Sequence, residues 1–117
     1  PVVTKDELLN LIQEARAVEA NDRIFDYVTT LAEATRTHPM VELGVSPRGA
    51  LALCRMAKAH AFLAGRDYAV PEDVAAVFPD VCAHRLILSA KARMMEEKAE
   101  NILAEILKSV DMPVLKA

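Results

Sequence analysis

The segment 43–65, LGVSPRGALALCRMAKAHAFLAG, decides the fold class of this 117-residue chain. Ser46 is a residue type that caps helices, and Pro47 follows at the helical position where the missing N–H of proline has no cost. A helix is therefore predicted to begin there and to run to about Ala64, with Gly65 as its C-terminal stop. Apolar residues cover most of its circumference, which is typical of a helix in the middle of a bundle.

Two helices are predicted before this segment. The capping-box spacing of Thr4 and Glu7 indicates a first helix that ends near Val18. The capping residue Asn21 begins a second one, which fades by Thr37 because a proline follows shortly after it. The first helix carries one apolar stripe that is predicted to be buried: Leu8, Leu11, Ile12 and Ala15.

The pattern after the segment is less regular. Pro71 begins a fourth helix, with two acids in its first turn that suit the positive end of the helix dipole. Pro79 is predicted to end or kink that helix, and a short turn then brings Val81 and Cys82 against the core. Residues 86–94 fit an extended segment and an early helix equally well.

The last helix keeps strict helical spacing, and Pro113 closes it. Its apolar residues are Ala99, Ile102, Leu103, Ile106, Leu107 and Val110. The fold class is therefore predicted to be all-α, a compact bundle of about five helices that forms a single domain over residues 1–117.

Composition narrows the classes of function. Hydrophobic residues make up 53% of the chain and aromatic residues only 4%, so the core is expected to be aliphatic. The net charge of -3 and the interspersed signs argue against a nucleic-acid partner. There is no apolar run of about 18 residues and no leader-like start, so no membrane partner is expected and the location is predicted to be cytoplasmic. Because the first residue is Pro1 and not methionine, the chain is interpreted as a piece of something longer.

Little in the sequence points to catalysis. None of the three glycines precedes a GK[ST] triplet, so the chain has no phosphate-binding loop. His38, His60 and His84 lack metal-ligand spacing, and no metal site is predicted. Cys54 and Cys82 lie in apolar helical segments and are predicted to be free core thiols rather than a disulfide or a nucleophile.

Arg48 departs from this plain pattern. It lies in the first turn of the helix that Ser46 caps, where the helix dipole disfavours a cation by about 0.3–1 kcal/mol. Gly49 beside it is a poor helix former. A helix N-terminus with free N–H groups and an arginine can bind an anion, and a small neighbour allows close approach. An ordinary surface arginine is the alternative interpretation.

Five motifs follow one another in residues 26–89. They are TRTHP from Thr35, LGVSPRGALAL from Leu43, GRDY from Gly65, PEDV from Pro71 and HRLILS from His84. This set and its order resemble the C-terminal helical lid of MoxR-type AAA+ ATPases, and the resemblance covers more than half of the chain.

The resemblance implies that Arg48, the arginine of the SPR motif, is the sensor-2 residue and the nucleotide-binding residue of this chain. It implies ATP and Mg as cofactors of the parent protein, whose ATPase core would lie before Pro1. The chain by itself should hold neither cofactor and contain no catalytic residue. Contacts in the core or between subunits are the only roles expected for four further motif residues: Arg36, His38, His84 and Arg85.

The partners that the resemblance implies are the chain's own ATPase core and the neighbouring subunits of a ring, usually a hexamer. It also implies a von Willebrand A domain protein and chaperone-like maturation of a client complex. A stand-alone helical interaction domain is the alternative, and a helix-turn-helix DNA binder is a third one that the acidic balance disfavours. A phosphate-binding loop roughly 200 residues upstream in the coding sequence would support the lid.

Two stretches depart from the family pattern. Val70 stands where a capping serine or threonine is usual, which predicts fraying at the start of the fourth helix. The segment 90–102 replaces the family's usual connection, which leaves the position of the last helix open.

Overall fold

The structure is a computed structural model that describes residues 3–114. These residues form six α-helices, one 3-10 turn and a two-stranded sheet. In chain order they are α1 (Lys5–Arg16), α2 (Asp22–Thr37), β1 (Val41–Leu43), α3 (Pro47–Leu63), α4 (Pro71–Cys82), the 3-10 turn (Ala83–Arg85), β2 (Ile87–Leu88), α5 (Ala90–Met94) and α6 (Ala99–Ser109). The predicted all-α class is confirmed, with one helix more than the five expected.

The core lies between α2, α3, α4 and α6. Its largest fully buried side chains come from all four helices: Ile24, Leu31, Leu53, Phe78, Ile102 and Leu103. Apart from Phe78 these are aliphatic, as the composition predicts. Since α6 packs against α2 and α4, the C-terminal part of the chain closes the bundle.

The third helix, α3, packs against α1, α2 and α4. Its buried face consists mainly of small residues, which allow neighbouring helices to approach closely: Gly49, Leu53, Cys54, Ala57 and Ala61. The prediction of a central helix is therefore confirmed in the sense that α3 contacts three other helices. The expectation that it is enclosed nearly all round is wrong, because Leu51, Met56 and Leu63 are exposed.

The predicted burial of the α1 stripe is also wrong. Leu8, Leu11 and Ile12 keep 40–49% of their surface exposed, and no residue of α1 is buried. The helix lies at the side of the bundle, where it packs against α3. A stripe at helical spacing thus predicts the helix correctly but does not say what covers it.

Proline does not end the fourth helix, because α4 continues through Pro79 to Cys82. A proline in a helix interior loses one backbone hydrogen bond and crowds the preceding turn. Phe78 and Cys82 on either side of it are fully buried, and their packing holds the last turn in place. The predicted position of both residues against the core is confirmed: Cys82 is fully buried, and the half-buried Val81 packs against the core.

Residues 86–94 contain both an extended segment and a helix, the two structures that the sequence fitted equally well. The strand β2 pairs antiparallel with β1, with Val41 opposite Leu88 and Leu43 opposite Ile87. The hydroxyl of Ser89 then accepts the N–H of Ala92 at 3.1 Å and caps α5. Strands of two and three residues are too short to show a period in sequence, which is why this sheet was not predicted.

The start of α4 is held by the carboxylate of Asp73, which is fully buried. Its Oδ2 accepts the backbone N–H of Val70 at 2.7 Å. The guanidinium of Arg66 donates to both carboxylate oxygens at 2.7 and 2.8 Å, and Nδ1 of His60 lies 2.7 Å from Oδ1. Asp73 therefore compensates for the side-chain cap that Val70 cannot provide.

These contacts also set the acidity of Asp73. Burial opposes ionisation of the carboxyl, but the hydrogen bonds from Arg66, Val70 and His60 outweigh it and hold its pKa at about 2, below the ordinary value of 3.8. A carboxyl whose folded pKa is depressed contributes stability above its unfolded pKa. That contribution is lost as the pH falls through the folded pKa.

We expect Asp73→Asn to lower the free energy of unfolding by about 2–4 kcal/mol near neutral pH, because it leaves Arg66 without its buried counter-charge. The difference from the wild type should shrink as the pH falls from about 4 toward 2, since the wild type then loses the same contribution. Urea unfolding over this range measures both effects. Asp80→Asn, which removes an exposed carboxylate of the same helix, is the matched control and should change stability by less than about 0.5 kcal/mol. A difference for Asp73→Asn that is independent of pH would contradict this account.

Candidate functional site

The candidate site is the N-terminus of α3. Ser46 has extended backbone geometry and its Oγ accepts the N–H of Gly49 at 3.2 Å, so it caps the helix as predicted. Pro47 is the first helical residue, and Arg48 follows in the first turn with an exposed side chain. Within residues 3–114 no acidic side chain forms an ion pair with Arg48. Its side chain therefore lies in solvent at the helix start, where Pro47 has no N–H and Ser46 already binds the N–H of Gly49.

Val45, the residue before the cap, is held through both of its backbone polar groups. Its N–H donates to Oγ1 of Thr35 at 2.9 Å, and its carbonyl accepts Nε–H of Arg36 at 2.8 Å. Thr35 is fully buried, and its own hydroxyl donates to the carbonyl of Ala32 at 2.6 Å. Two consecutive residues at the end of α2 thus fix the backbone that leads into α3.

Two glycines permit close packing around this backbone. A Cβ at Gly44 would lie 2.7 Å from both Cα and N of Arg36, closer than real Cβ atoms come to other atoms. This close approach is a physical reason for glycine at position 44. A Cβ at Gly49 would lie 2.8 Å from Cγ1 of Val45 and 3.1 Å from Cδ of Arg85. The predicted close approach of a ligand at Gly49 is not supported, because Gly49 is buried and its small size serves packing.

The structure brings some of the motif residues to this site and leaves others elsewhere. Arg85 donates from Nε–H to the carbonyl of Val81 at 3.1 Å, and its Cδ lies beside the first turn of α3. Arg36 reaches the site through Val45. His38 instead accepts the N–H of Met40 and lies 3.5 Å from the carboxylate of Glu105 in α6. No partner for the exposed His84 is seen within residues 3–114.

Sequence reasoning missed the part that Thr35 and Val45 play. Thr35 belongs to the motif TRTHP and Val45 to the motif LGVSPRGALAL, but neither residue type by itself indicates a site. Their contact joins positions ten residues apart across a loop and the strand β1. The only available signal was that both motifs lie next to the start of α3.

The remaining reactive groups do not form a second site. Among the described residues no group of three or more His, Cys, Asp and Glu side chains could hold a metal ion. Cys54 and Cys82 are free and buried. Burial raises the pKa of Cys54, and it raises that of Cys82 to about 11 although the charge of Arg85 opposes the shift. Both are therefore thiols rather than nucleophilic thiolates at neutral pH.

A second surface feature is an apolar groove of about 610 Å³ between α1, α2 and α3. Its lining includes Ile12 and Ala15 of α1, Phe25 of α2 and Leu51 of α3, together with the basic residue Arg55. The groove continues the exposed stripe of α1. Within residues 3–114 no helix is long and apolar enough to cross a membrane.

Known proteins resemble this chain over its whole length. It is 39% identical over 117 residues to the uncharacterized protein YeaC of Bacillus subtilis, covering 100% of this chain and 37% of YeaC. It is 32% identical over 125 residues to chaperone MoxR1 of Mycobacterium tuberculosis, with 99% of this chain and 33% of that protein covered. The protein MoxR of Methylorubrum extorquens is 37% identical over 107 residues, which cover 80% of this chain and 30% of MoxR. The chain thus spans about a third of the length of these relatives.

A solved structure and a family model agree with these relatives. The crystal structure of a candidate ATPase from Cytophaga hutchinsonii superposes with a TM-score of 0.88 at 30% identity, over 96% of this chain and 37% of that one. Residues 33–106 match the model of the AAA lid domain family. The chain therefore belongs to the AAA lid domain family and is a lid domain of the MoxR type of AAA+ ATPase.

Proposed function

We propose that residues 1–117 form one lid domain of a longer ATPase and that Arg48 is its sensor-2 arginine, which contacts the phosphates of ATP bound by the core. The observation that carries this proposal is an exposed arginine in the first turn of a capped helix within a matching lid. A guanidinium at the positive end of a helix dipole attracts an anionic ligand such as phosphate. The core supplies the catalytic residues and the site for Mg, and this chain supplies the phosphate contact.

The packing of α3 couples the phosphate contact of Arg48 to the angle of the lid. The helix that carries Arg48 packs against α1, α2 and α4, so a force on its N-terminus moves several helices together. When hydrolysis removes the terminal phosphate of ATP, the guanidinium loses its contact with that group and the preferred angle of the lid changes. The ring passes this motion to a client, in chaperone-like remodelling or maturation of a complex in the cytoplasm.

The exposed stripe of α1 and the adjoining groove form the contact surface for the chain's own core and for neighbouring subunits. Apolar surface of this extent on a helix indicates that another protein surface covers it. A six-subunit ring and a von Willebrand A domain partner complete the proposal, and both rest on the family resemblance. A stand-alone interaction domain would use the same groove to dock a partner helix, without an ATPase core.

The sensor-2 role is tested with Arg48→Ala in the full-length parent. We expect kcat/KM for ATP to fall by about 10- to 100-fold, because a charge-assisted hydrogen bond to phosphate contributes about 1.5–3 kcal/mol. Arg93→Ala is the matched control, because this exposed arginine of α5 lies outside both the start of α3 and the groove. Undiminished ATP turnover in Arg48→Ala, or an equal loss in the control, would remove the proposed role.

The contact surface is tested with the double variant Leu8→Gln and Leu11→Gln in the parent. Glutamine keeps the helix propensity of leucine, and both leucines are already exposed, so the stability of the lid should change little. We expect the ring to dissociate at higher protein concentration than the wild type, as measured by analytical ultracentrifugation. Leu63→Gln, at a position 85% exposed, is the control and should leave assembly unchanged. Wild-type assembly by the double variant would contradict this use of α1.

A further inference from the structure

We propose that Thr35 and Arg36 are positioning residues for Arg48, which act by holding the backbone of Val45. This inference rests on the proposed sensor-2 role of Arg48. It assigns a function to the TR pair of the TRTHP motif, which the fold alone does not explain. The two side chains lie at the C-terminal end of α2 and, among the described residues, make no hydrogen bond to α3 themselves.

The hold on Val45 is complete, because its donor and its acceptor are both occupied. The N–H donates to Thr35 at 2.9 Å and the carbonyl accepts from Arg36 at 2.8 Å. In a strand or helix these groups would pair with other backbone groups, and here side chains replace them. The peptide groups on either side of Val45 can therefore rotate only if one of these bonds breaks.

Burial makes the hydrogen bonds to the backbone of Val45 costly to break. Val45 and Thr35 are both fully buried, so water cannot replace a broken bond to the N–H of Val45. The Thr35 hydroxyl is itself oriented by its donation to the carbonyl of Ala32 at 2.6 Å, which leaves its lone pairs free for Val45. Gly44 lies directly against the backbone of Arg36, where a Cβ would be only 2.7 Å from Cα. The loop thus follows α2 closely up to the residue before the cap.

The side chain of Val45 carries this constraint into the first turn of α3. Its Cγ1 lies where a Cβ of Gly49 would be 2.8 Å away, so valine and glycine are in close contact. Cδ of Arg85 packs on the same glycine from the side of the 3-10 turn. The first turn, with Arg48 in it, is therefore set by α2 through the backbone of Val45 and by the turn after α4 through Arg85.

This geometry matters because Arg48 has a long and flexible side chain whose aim depends on its backbone. A misplacement of about 1 Å at a reacting group can lower a rate by about 100-fold. A loosened Val45 would let the first turn of α3 rock and move the guanidinium away from the phosphates. Thr35 and Arg36 are then needed for nucleotide contact although neither reaches the nucleotide.

The test is a double-mutant cycle in the full-length ATPase, with kcat and KM for ATP measured separately. Thr35→Val replaces the hydroxyl by a methyl of similar size, and we expect kcat/KM to fall by about three- to tenfold. The loss should appear in the same parameter that Arg48→Ala changes. Thr35→Ser restores the hydroxyl and should stay within about twofold of the wild type. In the Arg48→Ala background, Thr35→Val should cause no further loss.

Two further variants keep the result interpretable. Thr30→Val makes the same change at an exposed threonine of α2, whose hydroxyl donates to the carbonyl of Asp26, and should leave ATP turnover unchanged. Arg36→Met keeps the aliphatic stem but removes the donor to Val45. Because Arg36 is exposed, this variant decides the question if Thr35→Val does not fold. It should behave in the cycle as Thr35→Val does.

The outcomes separate this inference from the function on which it rests. If Arg48→Ala lowers turnover but Thr35→Val and Arg36→Met do not, the positioning role is wrong and the sensor-2 role stands. If either variant causes the same loss with and without Arg48, its effect is on general structure and the positioning role is again wrong. If Arg48→Ala itself leaves turnover unchanged, both proposals fail.

Discussion

The buried carboxylate of Asp73 is the interaction on which the rest of the lid depends. It binds His60 near the end of α3, Arg66 in the following loop and the backbone of Val70 at the start of α4. One side chain thus joins the two helices that share the largest contact in the structure. Because the carboxylate is fully buried and all of its contacts are short, the angle between α3 and α4 cannot change without the loss of several charge-assisted bonds at once.

The features that sequence predicts well are those determined by local chemistry. Ser46 and Pro47 specify the start of α3, and Gly65, with a φ of 83°, occurs where the helix must stop. These signals act within one turn of the chain and need no knowledge of the fold. The placement of Arg48 in an exposed first turn follows from the same residues, so the candidate site could be located before its surroundings were known.

What sequence did not predict depends on partners that are distant along the chain. Asp73 was interpreted as a first-turn acid that suits the helix dipole, but its neighbours Arg66 and His60 turn it into a buried ion-pair site. Pro79 does not end α4, because the burial of residues around it outweighs a local preference. The apolar stripe of α1 predicts a helix, but whether other helices cover the stripe depends on how the whole chain packs. In each of these cases tertiary contacts decide, and no local pattern reports them.

Local chemistry and tertiary contacts also have opposite effects at Arg48. A cation in the first turn costs about 0.3–1 kcal/mol, and a glycine beside it lowers helix propensity further. Acids occupy the first turns of α1, α2, α4 and α6, whereas the first turns of α3 and of the short α5 contain none. The first turn of α3 is nevertheless well supported, by its own cap and by a backbone held on both sides at Val45. A local cost combined with strong external support is expected where a residue is retained for function rather than for stability. The Asp73 contacts join the other end of α3 to α4, which is the connection that the proposed transmission of a displacement at Arg48 requires.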